Sequence, residues 1–187
     1  MTDVTVRSLG EEDWREFKAI RLAALRDSPD AFVASADDEE GFEEDFWRLR
    51  LRRSTRFVAV RQAAEGSGGQ PVGVVSLGEG KDEEGRVAEI FGLWVAPAAR
   101  GTGVATKLVE ASADRARRDG RTHVSYWVGT DNGRAVAFAS GIGFRPTDFR
   151  RPMRVASANG AEPDDDLPEE IAMVLALGED RGRPDVL

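Results

Sequence analysis

The 187-residue chain has no cysteine. Disulfides, thiolate metal sites and a cysteine nucleophile are therefore excluded, and the composition fits a reducing, cytoplasmic setting. A single histidine, His123, rules out a His-rich metal centre, and no metal is expected. His123 falls where a helix turns into a strand, so a surface place is expected for it. No stretch of about 18 apolar residues occurs, so no membrane span and no membrane partner is expected. The first residues, Met1 to Ser8, lack a basic segment followed by an apolar one, so no secretory signal is expected. Positive charge is also short: 26 basic residues face 34 acidic ones, for a net charge of −8. Nucleic acid is then not an expected partner, because phosphate contacts need a basic surface. An acidic surface favours a cationic partner such as an amine, or serves solubility alone.

Hydrophobic residues make up 41% of the chain, and its length suits one globular domain that buries roughly 70% of the unfolded surface. The expected organisation is a single domain over residues 1–178 with a frayed tail at 179–187.

The most informative stretch is Ala88–Asp119. Ile90 to Val95 is an apolar run too short for a free helix, and it suits a buried strand that Pro97 terminates. Arg100-Gly101-Thr102-Gly103-Val104-Ala105 follows, and then a helical pattern with Val104, Leu108 and Ala111 on one face. Gly120 stops that helix, and Arg115, Arg117 and Arg118 lie near its negative end. A strand, a glycine turn and a helix start together make an anion site, because first-turn amides have no intrahelical partner. Two glycines alone would serve turn geometry. Arg100 immediately before them, a forked charged donor, makes a phosphate ligand the better reading. The P-loop pattern fails because Lys107 follows Thr106, and the dinucleotide fingerprint fails because Thr106 stands where a third small residue belongs.

The rest of the chain reads in order. Val4–Leu9 alternates as a strand, and the acidic Glu11, Glu12 and Asp13 open a helix carrying Trp14, Phe17, Ile20, Ala24 and Leu25. Asp27 to Asp30 breaks it, and a second helix is expected over Glu39–Arg53. Strands follow at Phe57–Val60 and Val72–Leu77, with a flexible loop, Gln62–Gln70, between them. The turn Gly78–Gly85 leads into Val87–Val95, completing an antiparallel meander. Thr122–Val128 is the next strand, in the helix-to-strand order of a parallel pair. Asn132 precedes a short helix, Arg134–Ser140, which ends at Gly141-Ile142-Gly143-Phe144. Thr147–Pro168 is polar and reads as an exposed excursion, and Ile171–Leu177 as the last strand.

The pattern Arg-x-x-Gly-x-Ala (Arg100, Gly103, Ala105), preceded by Leu93-x-Val95-x-Pro97, resembles the acyl-CoA-binding motif of the GNAT superfamily of N-acyltransferases. Asn132, Ala135, Gly143 and Phe144 resemble its second signature. The resemblance implies an α/β (α+β) fold with a mixed six- to seven-stranded sheet flanked by helices and one parallel pair in its middle. It also implies acetyl-CoA as co-substrate and a small-molecule or peptide amine as acceptor, attacked directly, and it allows a homodimer. Backbone amides of Gly101, Thr102, Gly103, Val104, Ala105 and Thr106, with Arg100, would hold the pyrophosphate. Backbone groups of Leu93, Trp94 and Val95 would hold the pantetheine arm like an added strand, and the Val95 amide would face the thioester oxygen. Asn132 would bond to the arm or the departing sulfur.

A protonated amine must lose a proton, and Glu89 is the candidate base, its pKa raised by burial; the alternative is an exposed carboxylate beyond a hairpin. The Tyr that many family members use as acid is absent, since that position holds Ala139; Tyr126, Ser140 or water remain. Phe32 and Phe42 are candidate walls of the acceptor site. Trp127, Arg150 and Arg151 have structural readings as their default. Two rival functions stay open: an acyl-CoA-binding module with little or no turnover, which the missing Tyr favours, and a nucleotide-binding α/β protein of another kind.

Overall fold

In the computed structural model, residues 3–62, 69–153 and 168–178 are described. The expected tail 179–187, most of the Gln62–Gln70 loop and residues 154–167 lie outside them. Seven strands form one sheet in the order β1-β2-β3-β4-β5-β7-β6, mostly antiparallel and flanked by helices, as the mixed α/β reading anticipates. By packing, the chain divides into two compact units, Met1–Gly78 with Phe91–Ser112, and Glu79–Ile90 with Ala113–Leu187.

In the first unit the alternating segment Val4–Leu9 forms β1, antiparallel to β2 (Thr55–Arg61) from Val4↔Arg61 to Leu9↔Arg56. The helix α1 (Trp14–Asp27) buries Phe17, Ile20 and Ala24, one helical stripe. The single helix expected over Glu39–Arg53 is instead two, α2 (Ala36–Glu40) and α3 (Glu44–Arg53). Side chains from elsewhere satisfy the carbonyls at the break: Lys18 Nζ donates to Glu40 O (2.9 Å) and Phe42 O (3.3 Å), and Trp47 Nε1 donates to Phe42 O (3.1 Å). Backbone acceptors that find such donors do not need a continuous helix. Trp47, fully buried, anchors a core of Phe17, Ile20, Leu51, Val58, Val74 and Trp94. The strand β3 (Gln70–Glu79) lies antiparallel to β2, with Arg56 opposite Ser76. Its partner β4 (Val87–Val95) continues into the chain that turns back at Ala96, whose N–H donates to Val72 O at 2.9 Å.

In the second unit the start of β4 pairs in parallel with β5 (His123–Gly129) from Val87↔His123 to Ile90↔Tyr126, and the register goes no further. A parallel pair needs a crossover, supplied by α4 (Val104–Arg118). The strand β5 also pairs antiparallel with β7 (Glu169–Ala176). Part of the expected polar excursion, Thr147 to Pro152, is a strand, β6 (Arg145–Pro152), paired with β7 in two blocks around an irregularity between Pro146 and Arg150. It closes the sheet at one end, where Pro and charge are tolerated because one edge needs no ladder donor. His123 is buried, not at the surface, with Thr122 Oγ1 2.9 Å from its Nδ1. No helix among the described residues is long and apolar enough to cross a membrane.

Candidate active site

After β4 the chain makes a short 3-10 turn, Pro97–Ala99, and enters the glycine loop. Gly101 (φ 75°) and Gly103 (φ 84°) both take left-handed backbone, where a Cβ is strained. An added Cβ at either would meet nothing within 4 Å, so the loop faces open space rather than its own protein. The N–H of Lys107 bonds back to Gly103 O at 3.1 Å, which marks the first turn of α4. The amides ahead of it, through Val104, Ala105 and Thr106, have no intrahelical acceptor by geometry and carry the positive end of the helix dipole. Thr102 does not reach outward; its Oγ1 donates to Ala99 O at 2.7 Å and pins the turn.

Arg100 is held by two acceptors. Its Nε donates to Val95 O at 2.9 Å, and its Nη2 pairs with Asp27 Oδ2. The same Asp27 oxygen accepts from Trp94 Nε1 (2.9 Å) and Ser28 Oγ (2.7 Å). Trp94 first, then Ser28 and Arg100, hold the Asp27 carboxyl below its ordinary value. Trp94 and Arg100 are thus tied together through Asp27 of α1, and Val95 directly to Arg100, links that sequence spacing does not reveal.

The peptide groups of β4 also have a direction. Ala96 N–H points to β3, so by strand alternation those of Leu93 and Val95 point to the opposite edge. The pairing with β5 has already ended at Ile90. An extended ligand could pair with that edge.

Glu89 and Asn132 belong to the second unit. Glu89 is half-buried on β4, opposite Ser125 of β5. Asn132 is exposed at the N-cap of α5 (Gly133–Gly141), its Oδ1 accepting from Ala135 N at 3.1 Å. The Asn-x-x-Ala spacing is therefore that of a helix cap. Its amide NH₂ is not used in that bond. Ala139, at the family's tyrosine position, is fully buried. Burial, with the nearby Glu170 carboxylate, pushes the Tyr126 phenol up to about 12, so it is protonated at neutral pH. Arg151 stacks 4.2 Å from the Trp127 ring and pairs with Glu170 (2.6 Å), and Arg150 donates to Thr147 O at 3.1 Å, so all three keep their structural readings.

A pocket of about 150 Å³ opens in the first unit, beside the start of the Leu93–Val95 segment. Its aromatic walls are Phe17 and Phe91; of the two expected wall residues, Phe32 sits under Arg21 (4.8 Å) and Phe42 stacks on Phe46 (4.1 Å). Three arginines line it: Arg21 from α1, Arg50 from α3 and Arg56 from β2. Glu39, 1% exposed, takes a fork from Arg21 (3.0 and 3.1 Å) and a third bond from Arg50 (3.0 Å). Burial pushes its carboxyl up, but the two guanidiniums outweigh that and hold it below the ordinary value. None of these four polar residues was singled out from sequence. A usable signal existed for Arg56: it occupies the same strand face as Val58 and Val60, an inward place for a charged residue.

The mixed sheet with its parallel β4–β5 pair, and a crossover helix that starts in a glycine turn, define an α/β protein. The model of the acetyltransferase (GNAT) family matches residues 13–144, and the chain belongs to that family. It is 37% identical over 149 residues to an uncharacterized N-acetyltransferase of Methanocaldococcus jannaschii, covering 75% of this chain and 60% of that protein. It is 27% identical over 169 residues to the mycothiol acetyltransferase of Parafrankia sp., covering 81% and 51%. The chain thus spans little more than half the length of these relatives. Among solved structures it resembles yncA from Salmonella typhimurium, determined with its cofactor acetyl-CoA, at a TM-score of 0.65 and 18% identity over 97% of this chain and 98% of that one.

Proposed function

We propose that the protein transfers an acetyl group from acetyl-CoA to a primary amine of a small molecule or peptide. The observation that carries this reading is the turn at residues 100–106. Two left-handed glycines face open space beside the unpaired first-turn amides of α4, in a chain whose family matches. That cradle fits a diphosphate: it offers N–H donors, a favourable dipole and the Arg100 guanidinium. Coenzyme A, when bound, supplies the acyl group as an activated thioester. The chain's own residues do the rest. The outward N–H groups of Leu93 and Val95 hold an extended arm, and the Val95 amide is the donor for charge that develops on the acyl oxygen. Glu89 accepts the proton that the ammonium must lose, directly or through water. Asn132 keeps NH₂ donors for the arm or the leaving sulfur. With Ala139 in the usual tyrosine place, thiolate departure relies on Tyr126, Ser140 or water.

A melting experiment with acetyl-CoA, paired with thiol release over a panel of amines, tests the reading. A ligand at about 100 times its Kd adds about 2.7 kcal/mol to the folded state, a rise of several degrees. Arg100→Ala should weaken binding by about tenfold or more, the worth of one hydrogen bond to a charged group. No shift with acetyl-CoA and no thiol release with any amine would overturn it.

A further inference from the structure

Arg56 is the least satisfied charge described in the protein. It is 6% exposed, yet its Nε and Nη1 find no hydrogen-bond partner, and no carboxylate among the described residues reaches its guanidinium. Its Cζ lies 5.2 Å from the centroids of both Phe17 and Phe91, between two apolar faces. Burial above all, then the charges of Arg50 and Arg21, push its pKa down to about 9, so it remains charged at neutral pH. Fully buried donors left without partners cost stability and are uncommon in native proteins.

The surroundings say what would satisfy them. Around the pocket, three guanidiniums face one carboxylate, Glu39, leaving a surplus of two positive charges. Glu39 is already occupied by Arg21 and Arg50, so Arg56 is left without its own counter-charge. Arg56 is paired across the sheet with Ser76, and Ser76 Oγ lies 3.7 Å from where a Cβ on Gly92 would stand. These three residues form a row across β2, β3 and β4 that ends one residue before Leu93.

We propose that this pocket binds an oxyanion carried by the acceptor itself, so that the substrate is a small amine bearing its own carboxylate or phosphate. Resting on the acetyltransferase reading, this narrows the acceptor class: the acid group enters the pocket that Phe17, Phe91 and Arg56 line and takes the free donors of Arg56, with the Ser76 hydroxyl beside it. The amine then projects along β4 toward Leu93 and Val95. A volume of about 150 Å³ suits the acid end of a small molecule and not a bulky chain. It refines the reading of the net charge of −8, which favoured an amine partner or served solubility alone: the amine comes with an acid group of its own.

Two measurements test it. Arg56→Met keeps the apolar stem and removes the unpaired charge; in chloride its Tm should equal or exceed that of the unaltered protein. Acetate and inorganic phosphate, at ionic strength matched to chloride, should raise the Tm of the unaltered protein and not that of R56M. An equal rise in both proteins, or none in either, overturns the site. In turnover, each proteinogenic amino acid is compared with its amide, and phosphoethanolamine with ethanolamine. The acid-bearing member of a pair should be preferred, carboxylates and phosphate telling the two sources apart. R56M should raise KM for that member by about 10- to 100-fold while changing the neutral partner far less, since a hydrogen bond to a charged group is lost. Equal rates within the pairs, turnover confined to neutral amines, or an equal loss for both members in R56M would overturn the proposal. These results are distinct from failure to bind acetyl-CoA, which would overturn the acetyltransferase reading and leave the anion-dependent Tm to decide the pocket.

Discussion

Glu39→Gln perturbs the pocket from below. The carboxylate is 1% exposed and accepts three bonds, from Arg21 Nε (3.1 Å), Arg21 Nη2 (3.0 Å) and Arg50 Nη1 (3.0 Å). Glutamine keeps one oxygen and turns two N–H donors toward guanidiniums that are donors only. Breaking a buried pair from one side costs about 3–5 kcal/mol, because the partner charge stays behind. At about 2–4 °C per kcal/mol for a chain of this size, Tm should fall by about 6–20 °C. The pH dependence has a definite sign. The folded pKa of Glu39 is below its ordinary value, so its contribution is fully present above the unfolded pKa and is lost as pH falls through the folded one. Urea denaturation at pH 7 and in a series below about pH 4.3, the ordinary Glu value, should therefore show the two proteins converging in acid. A second substitution sharpens the test. The surplus of two positive charges becomes three in E39Q and returns to two in E39Q/R56M, so R56M should recover stability in the E39Q background beyond its effect alone. Neighbouring charges couple by about 0.5–3 kcal/mol. A cost under about 1 kcal/mol at pH 7, or R56M effects that simply add, would refute the argument.

Three further outcomes follow from named contacts. Glu89→Gln should cut turnover strongly at neutral pH and less at high pH, where the amine deprotonates unaided; an unchanged pH–rate profile removes Glu89 as base. Gly103→Val has room for its Cβ but forces a branched residue to φ 84°, so a stability loss of about 1–3 kcal/mol should come with weaker CoA binding in a titration. Asn132→Ala removes the α5 cap and should cost about 0.5–2 kcal/mol in denaturant; an unchanged midpoint would mean that the cap is idle.

Local pattern carried the parts of the fold whose information is local. The alternation at Val4–Leu9, the apolar run ending at Pro97 and the Gly101–Gly103 turn before a helical stripe were all legible because strand, turn and helix are each encoded within a few residues. The strand β6 was not, because an edge strand needs only one paired side; its sequence, with two prolines and three arginines, reads as loop until β7 is beside it. The break between α2 and α3 depends on Lys18 and Trp47 reaching its carbonyls, and so on packing. The candidate site divides in the same way. The glycine loop announces itself, whereas Asp27 joins Trp94 to Arg100 across 67 and 73 residues of sequence. Glu39, read as the first residue of a second helix, is buried only because Arg21 and Arg50 arrive from α1 and α3.

Net charge does not report on such a pocket for a related reason: it averages over a surface that water and salt largely neutralise. An exposed carboxylate farther from a ligand than about 8–10 Å is screened at physiological ionic strength. A charge about 5 Å away in a partly buried site, at an effective dielectric near 20, is worth about 3 kcal/mol. Arg21, Arg50 and Arg56 all line one small pocket, and the chain's acidic excess must act from outside it. Thus a protein with eight more acids than bases can present a cationic interior surface to its ligand. The acidic exterior still has an effect at long range, where it slows the approach of anions and favours cations. An amine that carries a carboxylate is close to neutral overall and escapes that repulsion, and one that carries a phosphate keeps only about half to one negative charge and feels it weakly, while the oxyanion remains available to Arg56 at contact. The two levels of charge are therefore compatible with one substrate class: a zwitterion passes the outer field that would turn away a simple anion and satisfies the inner one that a simple cation would not.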